Sequence, residues 1–430
     1  MQAKQAARRL QHVQRILVES GPDPVPKRTR VLILPDDSNV YISDQTAAGK
    51  ILISIDSRDV LAYSVRDRAA KLPLSAVGTS FENDNPNPEY PILELCSPRQ
   101  GDQVDLFPSD IWSCIYVLWT LYHAQEHIPF VFAASVPNAI TITSYLLQSG
   151  LARYALDPNE TAMFLLRATF WQGAGTGPVW SNARGWLRYT PDYNAFPQVQ
   201  SFTRTSAVTA QHPLRPPKPP FGAVIYKRFC AEIGRVFTFH VINPDDVADM
   251  NAFHCWMNDE RVNSGWGERG DMLKHRSYVL KTLNDPASLP LIMSWDGERM
   301  GYCEMVWTKV RATHGRPTSV LTCRQENHLA PYVPFGARDY DRGMHVLVGE
   351  DKFRGRTYSK TWFRAIMHYI FLAEPRTERM LGEPKNSNGV AIELGQECGM
   401  HTETTFYFPY KHSRLEAGLR ECFFKEDMLL

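Results

Sequence analysis

Hydrophobic and polar positions in this chain follow two rhythms that alternate along its length. Residues 235–242, "RVFTFHVI", are apolar and β-branched enough for a strand, while 245–258 and 271–284 place apolar residues at helical spacing. "LPLIMSW" and "MGYCEMVW" flank Asp296-Gly297, a dipeptide that favours a tight hairpin turn. Then come an apolar strand over 344–349, a helix over 358–373, the strand "ERMLGEP", a helix through "NGVAIELGQECG" and the strand "TTFYFPY". The first half predicts a similar series: strand "PILELCS", helix "SDIWSCIYVLWTLYHAQ", strand "PFVFAAS", helix "NAITITSYLLQSG" and strand "AMFLLRATFW".

The two series are related by one shift. Trp112 and Asn138 stand 250 positions before Trp362 and Asn388 (362 − 112 = 388 − 138), which predicts a duplicated fold. The copies differ in chemistry. Where the second has "KFRGRTYS" the first has "DQVDLFPS", with acids in place of arginines, and Leu95 or a neighbour stands at the strand position of His345. The first half therefore reads as a scaffold. Between the halves, "HPLRPPKPPFG" at 212–222 carries five prolines, whose fixed φ and missing N–H favour an extended linker. The expected domains are 1–211, the linker 212–222, and 223–430.

Composition narrows the function. With 430 residues, 43% hydrophobic and 22% charged, the chain can bury one large core or two ordinary ones. Its 47 basic and 46 acidic side chains leave a net charge of +1, so no global field attracts nucleic acid and any anion must be met locally. The eight cysteines (96, 114, 230, 255, 303, 323, 398 and 422) include no C-x-x-C pair and fall mostly in apolar segments. They read as reduced core thiols of an intracellular protein, with neither a disulfide framework nor a metal site. The longest apolar stretch, 111–122, is too short to span a bilayer. Residues 1–18 carry Lys4, Arg8, Arg9 and Arg15 and no acid, which reads as a basic surface helix before a transit peptide. The ending "DMLL" is not of the peroxisomal S-K-L type. A cytoplasmic protein with a small-molecule partner is expected, with no nucleic acid and no membrane; a homo-oligomer stays open.

The stretch "DRGMHVLVGEDKFRGRTYSKTWF" at 341–363 sets a histidine in an apolar strand that ends at an arginine- and glycine-rich turn, followed by a helix. This order suits an anion held at the turn.

Strand, glycine turn, helix, strand and an Asn-led helix, in that order, resemble the GNAT family of acyl-coenzyme A transferases. "KFRGRTY" stands in place of the family's Q/R-x-x-G-x-G/A loop, and "NGVAIELGQECGM" follows N-x-x-A-I-x-x-Y-x-x-x-G-F with Asn388, Ala391, Ile392, Gly399 and Met400 in register. Gly395 stands where the family often uses a tyrosine as general acid; a thiol with a pKa near 8.5 leaves without much help. The resemblance implies two tandem domains of the α/β (α+β) class, each a mixed, mostly antiparallel sheet flanked by helices, with the N-terminal copy degenerate. It implies acyl-coenzyme A as co-substrate, no metal, and a coenzyme site of Val346, Leu347, Val348, Lys352, Arg354, Gly355, Arg356, Thr357 and Tyr358.

A narrower resemblance covers 235–425. "HCWMNDERVNSGW", "LPLIMSWDGERMGYCEMVW" and "HYIFLAEPRTERMLGEPKNSN" are similar to the siderophore-biosynthesis branch, which acylates the N-hydroxylated side-chain amine of lysine or ornithine. The extra N-terminal half is similar to the fungal hydroxyornithine transacylases. That implies N5-hydroxyornithine as acceptor and acetyl, methylglutaconyl, anhydromevalonyl or hydroxymethylglutaryl as the acyl group. It also implies a substrate site drawn from His254, Trp256, Asn258, Asp259, Glu304, Trp307 and Glu383. The alternatives are a hydroxylysine or amine acetyltransferase of the same fold, or a non-catalytic acyl-coenzyme A-binding protein.

A hydroxylamine nitrogen is largely unprotonated at neutral pH, so alignment supplies much of the rate and one weak base takes the proton lost from nitrogen. His345, near its ordinary pKa of about 6.5, is the expected base or a donor to the carbonyl oxygen. Asn386 and Asn388 are expected to bind substrate or to cap the following helix.

Overall fold

The computed structural model describes residues 28–45, 49–71, 89–155, 160–177, 184–189, 199–204, 209–309, 329, 332–409, 411–425 and 427–429. The basic segment 1–18 and Cys323 lie outside them. Two compact units divide the chain, Met1–Trp186 and Leu187–Leu429.

In the first unit, β1 (Thr29–Ile33), β2 (Asn39–Gln45), β3 (Lys50–Ile55), β4 (Arg58–Lys71) and β5 (Glu89–Cys96) form an antiparallel meander. Helix α1 (Pro108–Leu121) starts at a proline, whose fixed φ suits the first turn, and crosses to β6 (His127–Phe132), parallel to β5. Helix α2 (Ala139–Gln148) leads to β7 (Ala152–Tyr154), and β8 (Met163–Leu166) enters between β6 and β7. The segment "AMFLLRATFW", expected as one strand, becomes helix α3 (Arg167–Trp171) after Leu166. The buried Arg167 explains the break: its guanidinium donates to the carbonyls of His123 and Gln125 at 2.9 and 3.2 Å and pulls the chain out of the sheet. The core is aromatic, with Trp112 edge-on to Tyr116 at 5.8 Å and Trp171 stacked on Trp186 at 5.1 Å.

The second unit opens with a hairpin, β9 (Gln200–Arg204) and β10 (Thr209–Pro213). Its main sheet begins with β11 (Val224–Cys230) and β12 (Arg235–Val241). Three helices follow, α4 (Val247–Asn258), α5 (Glu260–Trp266) and α6 (Met272–Asn284), capped in turn by the carboxylates of Asp246, Asp259 and Asp271. Then come β13 (Ser288–Trp295), β14 (Glu298–Trp307), β15 (Arg342–Val348), α7 (Arg356–Ala373), β16 (Arg379–Gly382), α8 (Gly389–Glu397), β17 (Met400–Phe408), β18 (Lys411–Leu419) and α9 (Arg420–Lys425).

The strand order is β11-β12-β13-β14-β15-β16-β18-β17, against β1-β2-β3-β4-β5-β6-β8-β7 in the first unit. Each number is raised by ten, and the one parallel pair recurs in the same place. The 250-residue shift is thus a repeat of topology: Trp112 and Trp362 sit in α1 and α7, and Asn138 and Asn388 precede α2 and α8. What differs is the insertion of α4 to α6 between β12 and β13. In the first unit only four residues separate the end of β2 at Gln45 from the start of β3 at Lys50, too few for such helices.

The proline run is not a free spacer. The division falls before it, and it lies along the second unit: the Lys218 ammonium donates to the carbonyls of Thr282 and Leu283 at 3.1 and 2.6 Å, and Arg215 donates to that of Asp339 at 2.7 Å. Among the described residues, no helix is long and apolar enough to cross a membrane.

Candidate active site

Strand β15 is paired along its length with β14 but touches β16 only at Arg342↔Met380 and Gly343↔Leu381. Past Gly343 its other edge has no strand partner among the described residues, so 344–348 offers backbone N–H and C=O groups to an extended ligand. His345 lies on this stretch, directly opposite Glu304 of β14. Glu383, one residue beyond β16, meets it from the third side.

The result is a compact cluster. His345 Nδ1 is 3.3 Å from Glu304 Oε2, and Nε2 is 3.5 Å from Glu383 Oε1. Glu304 Oε1 accepts from the hydroxyls of Tyr278 and Tyr302 at 2.6 and 3.0 Å. Glu383 is also paired with the Lys411 ammonium. The His345 side chain is 38% exposed against 9% for Glu304, so of the two it is the imidazole that a substrate can reach.

This geometry corrects the expectation that His345 keeps its ordinary pKa. Burial by itself would lower the value, but hydrogen bonds and attraction from Glu304 and Glu383 outweigh it and raise the ring to about 10. Burial likewise opposes the charge on Glu383, yet His345 and Lys411 hold its carboxyl below its usual range. At neutral pH the ring is an imidazolium between carboxylates. In that state it holds a proton to give, and Glu383 beside it is an unprotonated carboxylate. The ring signals of His345 are expected by NMR to titrate near pH 10, well above the ordinary 6.5, and to shift down in Glu383→Gln. Titration of the wild-type ring near 6.5 would restore it as the base. The linkage has a definite sign. His345 contributes stability fully below pH 6.5 and loses it as pH rises toward about 10, whereas the contribution of Glu383 is present above 4.5 and lost as pH falls through its lowered value.

The turn after β15 is a short 3₁₀ segment, Asp351–Phe353, followed by Gly355, whose φ of 111° suits glycine and starts α7 at Arg356. Each expected cation already has a carboxylate. Lys352 pairs with Glu298, Arg354 with Asp351 at 3.2 Å, and Arg356 Nε with Glu397 at 2.8 Å, which pulls the Glu397 carboxyl down to about 2. Tyr358 packs its ring on Trp295 and Phe353 at 5.6 and 5.5 Å. An arriving anion must compete with these partners.

Most other expected substrate contacts are engaged within the fold. His275 Nε2 meets the Glu268 carbonyl at 2.8 Å and so carries the proton; His254 Nδ1 must then donate to His275 Nδ1, also at 2.8 Å. Asn258 exchanges two hydrogen bonds with the backbone of Gly270, and Asp259 caps α5. Trp256 donates to Glu350 at 2.9 Å and lies so close to Gly349 that a Cβ there would come within 2.2 Å of the indole. Trp307, an odd number of positions from Glu304, faces the other side of the sheet, between the guanidiniums of Arg215 and Arg342 at 3.9 and 4.0 Å. Asn388 caps α8 by accepting from Ala391 N at 3.2 Å, and Asn386 accepts from Arg414 at 3.1 Å. Sequence reasoning missed Tyr278, Tyr302 and Lys411. Tyr302 alone had a local signal, two positions from Glu304 on the same strand face.

A sheet that opens beside a histidine held between two carboxylates, with a glycine turn at the exit of the same strand, is a candidate acyl-transfer site. Residues 245–408 match the family described as Acetyltransferase (GNAT) domain. The acyltransferase ato1 of Omphalotus olearius is 33% identical over 403 residues, covering 92% of this chain and 94% of its own. A hydroxyornithine transacylase of Ajellomyces capsulatus is 35% identical, covering 73% and 71%. The N(6)-hydroxylysine O-acetyltransferase of Escherichia coli is 31% identical, covering 50% and 61%. The chain belongs to the GNAT acyltransferases and is an enzyme of that class.

Proposed function

We propose that this enzyme transfers the acyl group of an acyl-coenzyme A to the hydroxylamine nitrogen of N5-hydroxyornithine, forming a hydroxamate for siderophore biosynthesis. The observation that carries the reading is the ring of His345 held between Glu304 and Glu383 on the open edge of β15. The name of the Ajellomyces capsulatus relative supplies the acceptor. The edge of 344–348 suits the amide-bearing arm of the coenzyme, and the turn with the first turn of α7 suits its phosphates.

The proton inventory fits a neutral nucleophile. The nitrogen attacks the thioester carbonyl, forming the C–N bond, and the proton it loses goes to Glu383. As the C–S bond breaks, His345 gives its proton to the departing sulfur, which stands in for the tyrosine absent at Gly395. The 3.5 Å contact between Glu383 and His345 returns the proton to the ring, leaving hydroxamate and free thiol as the net products. A protonated amine with a pKa near 10.4 must lose one proton before it attacks as well as one after, and Glu383 takes only one of the two.

The first unit serves as scaffold in this reading. The register that places Glu304 opposite His345 places Tyr63 opposite Leu95, so the first sheet has neither the ring nor its carboxylate.

The test is a panel of acetyl, hydroxymethylglutaryl, methylglutaconyl and anhydromevalonyl coenzyme A with N5-hydroxyornithine, ornithine and lysine at pH 7. N5-hydroxyornithine is expected to react far faster than either amine. Equal rates with ornithine would sink the hydroxamate assignment, and coenzyme A binding without turnover for any pair would show a non-catalytic protein.

A further inference from the structure

Arg261 lies within the string "HCWMNDERVNSGW", where no role was assigned to it from sequence. It is the second residue of α5, in the helical insertion that the first unit lacks, and its guanidinium reaches the end of the strand that carries His345. Nη1 donates to the carbonyl of Val348 at 3.0 Å and Nη2 to that of Gly349 at 3.2 Å. Nη2 is also 3.5 Å from Asp351 Oδ1, the same oxygen that Arg354 approaches at 3.2 Å from the turn. Two guanidiniums from separate elements thus converge on one carboxylate oxygen. The Asp351 side chain is 78% exposed and, among the described residues, its carboxylate bonds to nothing else, so little beyond these two cations fixes it.

A diphosphate presents two adjacent negative charges where a carboxylate presents one, and its oxygens accept charge-assisted bonds from guanidinium as carboxylate oxygens do. We infer that Arg261 is a phosphate-binding residue of the coenzyme site and that Asp351 occupies its place in the free enzyme, a built-in competitor that the coenzyme's diphosphate displaces. This rests on the acyl-coenzyme A reading above and adds to it a cation from the acceptor-side helices.

Arg261 reaches Val348 and Gly349 at one end of its helix, while Trp266 at the other end packs on Tyr302 at 5.8 Å, and Tyr302 donates to Glu304. The helix that carries this guanidinium thus also touches the residue that orients Glu304.

Calorimetry with coenzyme A and with pantetheine, which lacks the phosphates, tests this on the full chain. Arg261→Ala should weaken coenzyme A by about 10-fold or more, as loss of a charge-assisted bidentate contact does, and leave pantetheine within two-fold. Asp351→Asn should tighten coenzyme A several-fold, because the competitor loses its charge. Equal weakening of both ligands by Arg261→Ala would reduce Arg261 to a structural brace, and an unchanged affinity in Asp351→Asn would remove the competitor; either result overturns the inference. A wild-type chain that binds no coenzyme A would overturn the acyltransferase reading itself, a distinguishable failure.

Discussion

Replacing His345 with Gln should cut turnover by roughly 10²-fold or more, the scale at which a positioned acid or base contributes. Gln keeps a hydrogen-bond donor and nearly the same reach but cannot hold the shared proton. The variant takes from Glu304 its nearest cation and leaves Glu383 with Lys411 alone. Both consequences act on the chemical step. Coenzyme A affinity should change little, because the turn and Arg261 lie beyond the far end of β15. kcat should therefore fall while the Kd for coenzyme A stays within two-fold, and the pH dependence of kcat should lose the limb associated with the His345 ring. A folded Gln variant with wild-type turnover would make this histidine a packing residue.

Much of this architecture was legible before any coordinates, for reasons that can be assigned to particular residues. The hairpin at Asp296-Gly297, the helices around 247–258 and 272–284 and the duplication were readable because each rests on a local signal: a turn dipeptide, a 3.6-residue period, a constant spacing. Strand β18 was not readable. Its sequence "KHSRLEAGL" buries Ser413 on one face and Glu416 on the other, both nearly fully, and a strand covered on both faces with polar residues among them gives no alternating apolar pattern. Helix α5, seven residues long, is too short for a period to show, and it carries Arg261. His345 and the turn were singled out from sequence because they share one segment. The protonation state of His345 was not, because it depends on Glu383 and Lys411, which arrive through the parallel pairing of β16 and the return of β18. A pKa is a property of the assembled neighbourhood, and that neighbourhood here spans four elements. The same distance effect hid the partners of Lys352 and Arg356: the turn reads as cationic along the chain and is neutralised in space by Glu298 and Glu397.

The largest effect on stability is expected at Asp341, immediately before β15. Its carboxylate is 1% exposed and takes two bonds from Arg379 of β16, Nε to Oδ1 at 3.1 Å and Nη2 to Oδ2 at 2.6 Å, while Oδ2 also accepts from the Arg338 N–H at 2.8 Å. This pair clamps the two parallel strands beside their only two ladder positions, so the closed end of the opening that holds His345 depends on it. Asp341→Ala leaves a buried guanidinium with only Glu403, at 3.8 Å, as a neighbouring charge. Breaking one side of a buried pair costs about 3–5 kcal/mol, whereas replacing both partners with apolar groups of similar size is often close to neutral. Hydrogen exchange of the β15 and β16 amides reads this unit separately from the other. Asp341→Ala should lower their protection by an amount equivalent to about 3–5 kcal/mol, and Asp341→Leu with Arg379→Met should recover much of it. A loss below about 1 kcal/mol in the single variant, or a double variant worse than the single, would show that the pair does not hold the strands. In the single variant the distance between His345 and Glu383 is no longer fixed by their strands, so turnover should fall even at temperatures where the protein remains folded.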